Sequence, residues 1–285
     1  MGERRAAAGA PVCGVDGGRT AASPGVAPRP QAKPIPMIPD DIWAHARDAI
    51  FPPESFAAAA GEVAAVLDLA DLAGRTLDVL DLPCGPGRHT MAFAEAGHRV
   101  VAVDSALSYL HELRSRLATR RAREGDVDVE VVSGDMRTFW RSGAFDLAVN
   151  LYHSFGYFAD PEEDRATLRC YAASLRPGGK LVLELLGLEN LAKRFRPRDW
   201  HRMPDGSLHL QERRVRDDWG WLDVDWIFVE DGVERSFSFG HRLYSGRDLR
   251  RELLAAGFSD VQLFGGFGGG PYDADAERLV AVATK

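Results

Sequence analysis

Hydrophobic and polar positions change their period along this chain, and the changes mark its elements. From Asp40, apolar residues recur at helical spacing (Ile42, Trp43, Ala46, Ile50) until Pro52-Pro53 ends the run. A second stripe, Phe56, Ala60, Val63, Val66 and Leu67, predicts a helix over 54–70, closed by Gly74. Short apolar runs of strand length follow at 77–82, 99–103, 127–132, 145–150 and 181–185. Helical stripes separate them, carried by Phe93 and Ala94, by Leu107, Leu110, Leu113 and Leu117, and by Leu168, Tyr171 and Leu175. Near-continuous apolar strands alternating with helices predict a parallel sheet covered on both faces.

Residues 187–207 have no period. From Leu208 the period becomes two, and 208–216, 221–229 and 233–244 read as antiparallel strands, the last two joined by the turn Glu230-Asp231-Gly232. Leu222, Val224, Trp226 and Phe228 share one face, as do Phe237, Phe239, His241 and Leu243. Asp223 and Asp225 fall on the opposite face, where solvation explains them better than a metal does. Ser245 and Asp248 form a capping box before a helix with Leu249, Leu253 and Ala256, stopped at Gly257. Strands at 261–264 and 278–283 finish the chain.

The first parallel strand runs into Asp81-Leu82-Pro83-Cys84-Gly85-Pro86-Gly87-Arg88-His89-Thr90. Gly85 and Gly87 permit a left-handed backbone and close approach to a ligand, and the helix behind them offers free N–H groups. A dinucleotide fingerprint needs a third glycine where Thr90 stands, and Asp81 would repel a phosphate there. A carboxylate at that strand tip suits a cationic ligand. The second strand ends in Asp104, placed to accept hydrogen bonds from a ribose diol.

On these residues the chain resembles the class I S-adenosylmethionine (AdoMet)-dependent methyltransferases. Segment 81–89 is similar to their first motif and Asp104 to their ribose-binding acid. Gly134-Asp135-Met136 resembles the segment whose acid meets the adenine amino group while the next residue packs on the ring. The loop from Asn150 through Tyr152, His153, Ser154, Gly156 and Tyr157 is similar to that of small-molecule methyltransferases, amino-sugar N-methyltransferases of antibiotic pathways among them. Arg176-Pro177-Gly178-Gly179-Lys180 matches the turn before the fifth strand. Pro83 departs from the family's more usual Gly.

The resemblance implies a Rossmann-like fold with a mostly parallel seven-stranded sheet and an antiparallel β lid, 208–244, inserted after strand five. It implies AdoMet as cofactor. The cofactor site is expected at Asp81, Pro83, Cys84, Gly85, Gly87 and Arg88, at Asp104 and Ser105, at Gly134, Asp135 and Met136, and at Asn150 and Tyr152. Helices before strand one fold over the ligands in this family, so Trp43 and Phe51 either line the pocket or pack in the core. Ser105 is expected to cap the following helix. For catalysis His153, suited to proton transfer near neutral pH, is expected as the base, Tyr157 as the group orienting the acceptor, and His241 as the next candidate base. The acceptor is expected to be a small molecule methylated on N, O or C, with secondary metabolism suggested by the Ala- and Arg-rich composition. A Rossmann-type NAD-binding oxidoreductase and a non-catalytic AdoMet-binding protein are the alternatives.

Composition narrows the picture further. The net charge of −7 over 285 residues argues against a nucleic-acid surface, and no apolar run approaches the roughly 20 residues of a membrane span. Three widely spaced cysteines, Cys13, Cys84 and Cys170, fit a cytoplasmic protein without a disulfide framework. No His/Cys/Asp cluster has metal-ligand spacing, so no metal is expected. Residues 1–38, rich in Ala, Gly, Pro and Arg, are expected to be a disordered extension, with the methyltransferase domain spanning 39–285. A homodimer is compatible with all of this.

Overall fold

The computed structural model describes residues 40–285, and the expected disordered extension lies outside the described residues. The main sheet has seven strands in the order β10-β11-β5-β4-β1-β2-β3. β1 (Asp78–Asp81), β2 (Arg99–Asp104), β3 (Val129–Ser133), β4 (Phe145–Asn150) and β5 (Leu175–Leu185) are parallel; β11 (Leu279–Thr284) lies antiparallel between β5 and β10 (Asp260–Phe264). The apolar strands are apolar because both faces are covered. On one face α5 (Pro161–Ser174) and α7 (Gly246–Ala255) set Leu168, Tyr171, Leu249 and Leu253 against Leu80, Leu181 and Leu183. On the other, α2 (Pro53–Leu69) and α3 (Arg88–Glu95) set Val63, Val66 and Phe93 against Leu77, Val79 and Leu147. Sequence order reverses between β1 and β4, so the crevice for a ligand opens at the carboxyl ends of these strands.

Local chemistry sets the helix starts. Asp160 accepts from the Glu162 N–H at 2.9 Å with Pro161 at the first position, and Ser245 accepts from the Asp248 N–H at 3.0 Å. Ser105 does not cap α4 (Leu107–Glu124), contrary to expectation: Asp104 Oδ1 takes the Ala106 N–H at 2.8 Å, a stronger, charged acceptor one residue earlier. The Pro-Gly-Gly segment does not precede β5 but lies within it. The register jumps from Phe145 opposite Leu175 to Leu147 opposite Lys180, so the intervening residues form an irregularity.

The aperiodic stretch after β5 holds two short elements, α6 (Leu188–Arg194) and β6 (Arg198–Arg202). β6 joins β7 (Leu208–Arg216), β8 (Trp221–Glu230) and β9 (Val233–Arg242) in a second antiparallel sheet of four strands, one more than the alternation indicated. β6 shows no alternation because its residues are exposed or only half-buried. The inner face of this sheet packs Leu222, Val224 and Phe239 with Leu191, Leu243 and Tyr157. On the outer face Asp223 accepts from Arg216 and Trp221, and Asp225 from Ser238.

α1 (Asp40–Ile50) spans from one sheet's helices to the other sheet. Arg47 pairs with Glu112 of α4 at 2.6 Å, and the Tyr109 hydroxyl donates to the Trp43 carbonyl at 2.9 Å. On its far side the His45 ring packs edge-on against Phe228 at 4.9 Å and near Phe237 at 5.5 Å, with Nε2 3.6 Å from Glu230. No helix among the described residues is long and apolar enough to cross a membrane.

Candidate active site

The glycine turn after β1 is built for close approach. Gly85 sits at φ +55° with the Phe51 ring 3.2 Å from where a Cβ would stand, and Gly87 at φ +85° has no room for a Cβ beside Leu113. Asp104, buried at the end of β2, fixes this turn. Its Oδ2 accepts from the Gly85 N–H at 2.8 Å while Oδ1 holds the start of α4. A cavity of about 890 Å³ opens over these groups, near the upper end of the roughly 300–1,000 Å³ range of small-molecule sites.

Pro83, Cys84, Gly85 and Arg88 of the turn, Asp104 at the end of β2 and Ser105 after it line that cavity. So do Asp135 and Met136 after β3, and Tyr152, His153 and Tyr157 after β4. Asp135 is gripped by Arg137, whose Nε lies 3.0 Å from both carboxylate oxygens, and that partner holds its carboxyl below the usual range. Arg137 also pairs with Glu163 and lies 4.6 Å over the Phe158 ring.

Four expected cofactor residues do not line the cavity and act one layer beneath it. Asp81 is 2% exposed and accepts from the Thr90 hydroxyl at 2.6 Å; burial above all pushes its carboxyl up to about 6, against the lowering influence of His89. Gly87 packs on Leu113, and a Cβ on Gly134 would come within 2.9 Å of Val103. Asn150, fully buried, donates to the Tyr171 hydroxyl at 3.0 Å, and Tyr171 donates to the Leu82 carbonyl, bracing the glycine turn from below.

The loop after β4 holds two successive side-chain-bearing residues in the left-handed region, Tyr152 at φ +65° and His153 at φ +59°. Such strain persists only when surroundings over-determine it. Here the Tyr152 N–H donates to Glu184 at 2.5 Å, and Glu184, itself buried, also pairs with Arg278 at 2.7 Å. The Tyr152 ring has the Arg88 guanidinium 4.1 Å from its centroid, Arg278 at 5.6 Å and the Phe51 ring stacked at 6.0 Å. Arg88 is in turn paired with Glu62 at 2.7 Å, as is His89.

His153 and His241 meet at 3.4 Å between their Nε2 atoms, although His241 does not line the cavity. The Leu186 N–H donates to His153 Nδ1 at 2.8 Å. A backbone N–H can only donate, so neutral His153 carries its proton on Nε2 and directs it at His241 Nε2. His241 then holds its own proton on Nδ1, which is buried without a partner. Burial lowers the pKa of both rings, that of His241 far below the usual value, so both are neutral. Both available lone pairs are engaged. The expected base therefore has no free site for a proton, and neither does the expected second candidate. Burial also raises the Tyr157 hydroxyl, which stays protonated.

Sequence reasoning left several wall residues unassigned. Trp43 and Phe51 line the cavity, which settles the choice left open for them. Tyr109, Glu163 and Arg278 also line it, and His201, His209, Gln211 and Trp226 bring the second sheet to it. Of these, Trp226 carried a signal, on the apolar face of β8, and so did His209 and Gln211, which share that face on β7 with Arg213 and Val215.

The comparisons with known proteins agree with this geometry. A family model described as a methyltransferase domain matches residues 79–179. A cypemycin N-terminal methyltransferase from a Streptomyces species is 30% identical over 228 residues, which are 79% of this chain and 89% of that protein. Among solved structures, the CcbJ methyltransferase of Streptomyces caelestis superposes with a TM-score of 0.68 at 22% identity, covering 83% of this chain and 91% of that one. An amino pentose methyltransferase from Micromonospora echinaspora involved in calicheamicin biosynthesis, solved with bound AdoMet, does so at 0.59 and 25% identity, covering 86% and 96%.

Proposed function

The chain belongs to the class I AdoMet-dependent methyltransferases, and from that premise we propose that it methylates the nitrogen of an amine in a small acceptor of secondary metabolism. The residues present fit AdoMet. Asp104 beside the Gly85 turn suits a ribose diol, Asp135 and Met136 suit an adenine, and the turn leaves space that a Cβ at Gly85 would narrow. When bound, AdoMet supplies an electrophilic methyl group on a sulfonium.

One observation carries the choice of nitrogen: the two histidines expected as base are bonded to each other and to Leu186. His153 Nδ1 accepts from the Leu186 N–H, His241 Nε2 accepts from the His153 Nε2–H, and Tyr157 is held protonated. An alcohol needs a base to take its proton in the transition state. An amine needs only to arrive neutral, and a buried aromatic wall favours the neutral form by disfavouring a desolvated charge. The names of the relatives, a peptide N-terminal methyltransferase and an amino pentose methyltransferase, point the same way.

The remaining residues hold and shield. Tyr157 hydrogen-bonds the acceptor, Trp43 packs edge-on against Tyr157 at 6.4 Å, and the second sheet acts as a lid that keeps water from the nucleophile. The free thiols Cys84 and Cys170 suit a reducing cytoplasm. The test is transfer of labelled methyl from AdoMet to a panel of amino sugars, amino acids and short peptides, each beside its hydroxy analogue. Label on the amines alone, with kcat/KM rising along the acceptor's own amine titration, is expected. Label on the hydroxy analogues would overturn the reading.

A further inference from the structure

Beyond the cofactor half, the cavity ends on the inner face of the second sheet, where Gln211 and Trp226 stand beside the imidazoles of His201 and His209. Gln211 of β7 lines the cavity, and its Oε1 is engaged by Arg213 two residues on along the same face. A guanidinium can only donate, so the amide orientation is fixed and the Nε2 end of Gln211, with two N–H donors, is the end left for a ligand. Directly across the ladder stands Trp226, which also lines the cavity and whose indole can only donate. Two neighbouring donor side chains form a wall that complements a group bearing two acceptor oxygens.

The charge behind that wall has the matching sign. Arg213 is half-buried, and no carboxylate of the described residues lies within ion-pair distance of it. Its other side-chain contact is the Arg196 carbonyl at 3.4 Å. The acid on the same face is Asp199, opposite Gln211 in the β6–β7 ladder and 3.9 Å from His201. Asp199 moderates the charge of Arg213 without forming an ion pair with it, and burial lowers the guanidinium's pKa. A half-buried cation costs desolvation energy that a ligand oxyanion can repay.

We infer that the lid wall Gln211–Trp226, backed by Arg213, recognises an oxyanionic group of the acceptor, a carboxylate or a phosphate, at the end of the cavity away from the nucleoside site. This rests on the proposed amine methylation and narrows its substrate class to amines that also carry an oxyanion.

The probes are sodium acetate and inorganic phosphate, titrated separately at constant ionic strength into enzyme saturated with S-adenosylhomocysteine. The readout is the indole N–H resonance of Trp226, identified by its loss in Trp226→Phe. One anion or both should shift that resonance saturably, and which one does so separates a carboxylate from a phosphate acceptor. Gln211→Glu and Arg213→Gln should each weaken the response about tenfold or more, equivalent to about 1.4 kcal/mol. Calorimetric affinity for S-adenosylhomocysteine should stay unchanged in both, which also shows that they fold. If neither anion shifts Trp226 saturably, or if Gln211→Glu binds as the wild type does, the inference is overturned while the methyltransferase reading stands. Failure of the wild type to bind S-adenosylhomocysteine would instead sink the reading beneath it.

Discussion

Replacing Asp104 with Asn tests how the cofactor turn is held. The wild-type carboxylate accepts two backbone N–H groups at 2.8 Å, Gly85 with one oxygen and Ala106 with the other. An Asn can accept only one of them and turns an amide NH₂ toward the second. The change removes a charge-assisted hydrogen bond of about 1.5–3 kcal/mol and leaves a buried donor facing a donor, costing a further 1–3 kcal/mol or so. At about 2–3 °C per kcal/mol for a chain of this size, Tm should fall by roughly 5–18 °C. The same carboxylate is the proposed ribose partner, so calorimetric affinity for S-adenosylhomocysteine should drop about 10- to 100-fold. The thermal shift caused by that ligand should shrink with it; in the wild type a 100-fold excess over Kd stabilises by about 2.7 kcal/mol. An unchanged Tm would refute the bracing role. A lowered Tm with full affinity would leave Asp104 structural and detach it from the ribose.

Three further outcomes follow from the same geometry. Because burial raises the Asp81 carboxyl to about 6, the folded state holds its proton more tightly than the unfolded chain does, so this group's contribution to stability is complete below about pH 4 and lost as pH rises through 6. Asp81→Asn should therefore be more stable than the wild type at pH 7.5, by up to about 3 kcal/mol, with the gap closing in urea unfolding at pH 4. Gly87→Ala, strained at φ +85° and driven into Leu113, should lose roughly 2–5 kcal/mol in the same assay, and a loss below about 0.5 kcal/mol would contradict the packing. His153→Ala should keep kcat within about tenfold and leave its pH profile unmoved while raising KM; a loss of 10²–10⁴ with an acidic limb removed would restore the histidine as base.

What could be read from the sequence follows how each part is built. The sheet was legible because β1, β4 and β5 are buried on both faces and so read as apolar runs between helical stripes. The glycine turn and Asp104 were legible because a backbone that must approach a ligand admits few residue types. β6 was not, since an edge strand with no fully buried residue has no reason to alternate. The state of His153 was illegible as well. Its residue type suggested a base, but what decides is Leu186, 33 positions away, whose N–H occupies Nδ1. Gln211 poses the same difficulty: only the contact with Arg213 shows which end of its amide is free.

The bridging position of α1 bears on the rhythm of turnover. The helix is tied to α4 beside the glycine turn through Arg47 and Glu112, and to the second sheet through His45. The chain that leaves it lays Phe51 over Gly85. The contacts of α1 thus join the two ends of the cavity, the glycine turn and the second sheet. Donor should therefore bind first and acceptor second, with methylated product leaving before the spent donor, an order that product-inhibition patterns check. A swing of this helix should then limit turnover, so that kcat falls as sucrose thickens the solvent while single-turnover transfer keeps its rate.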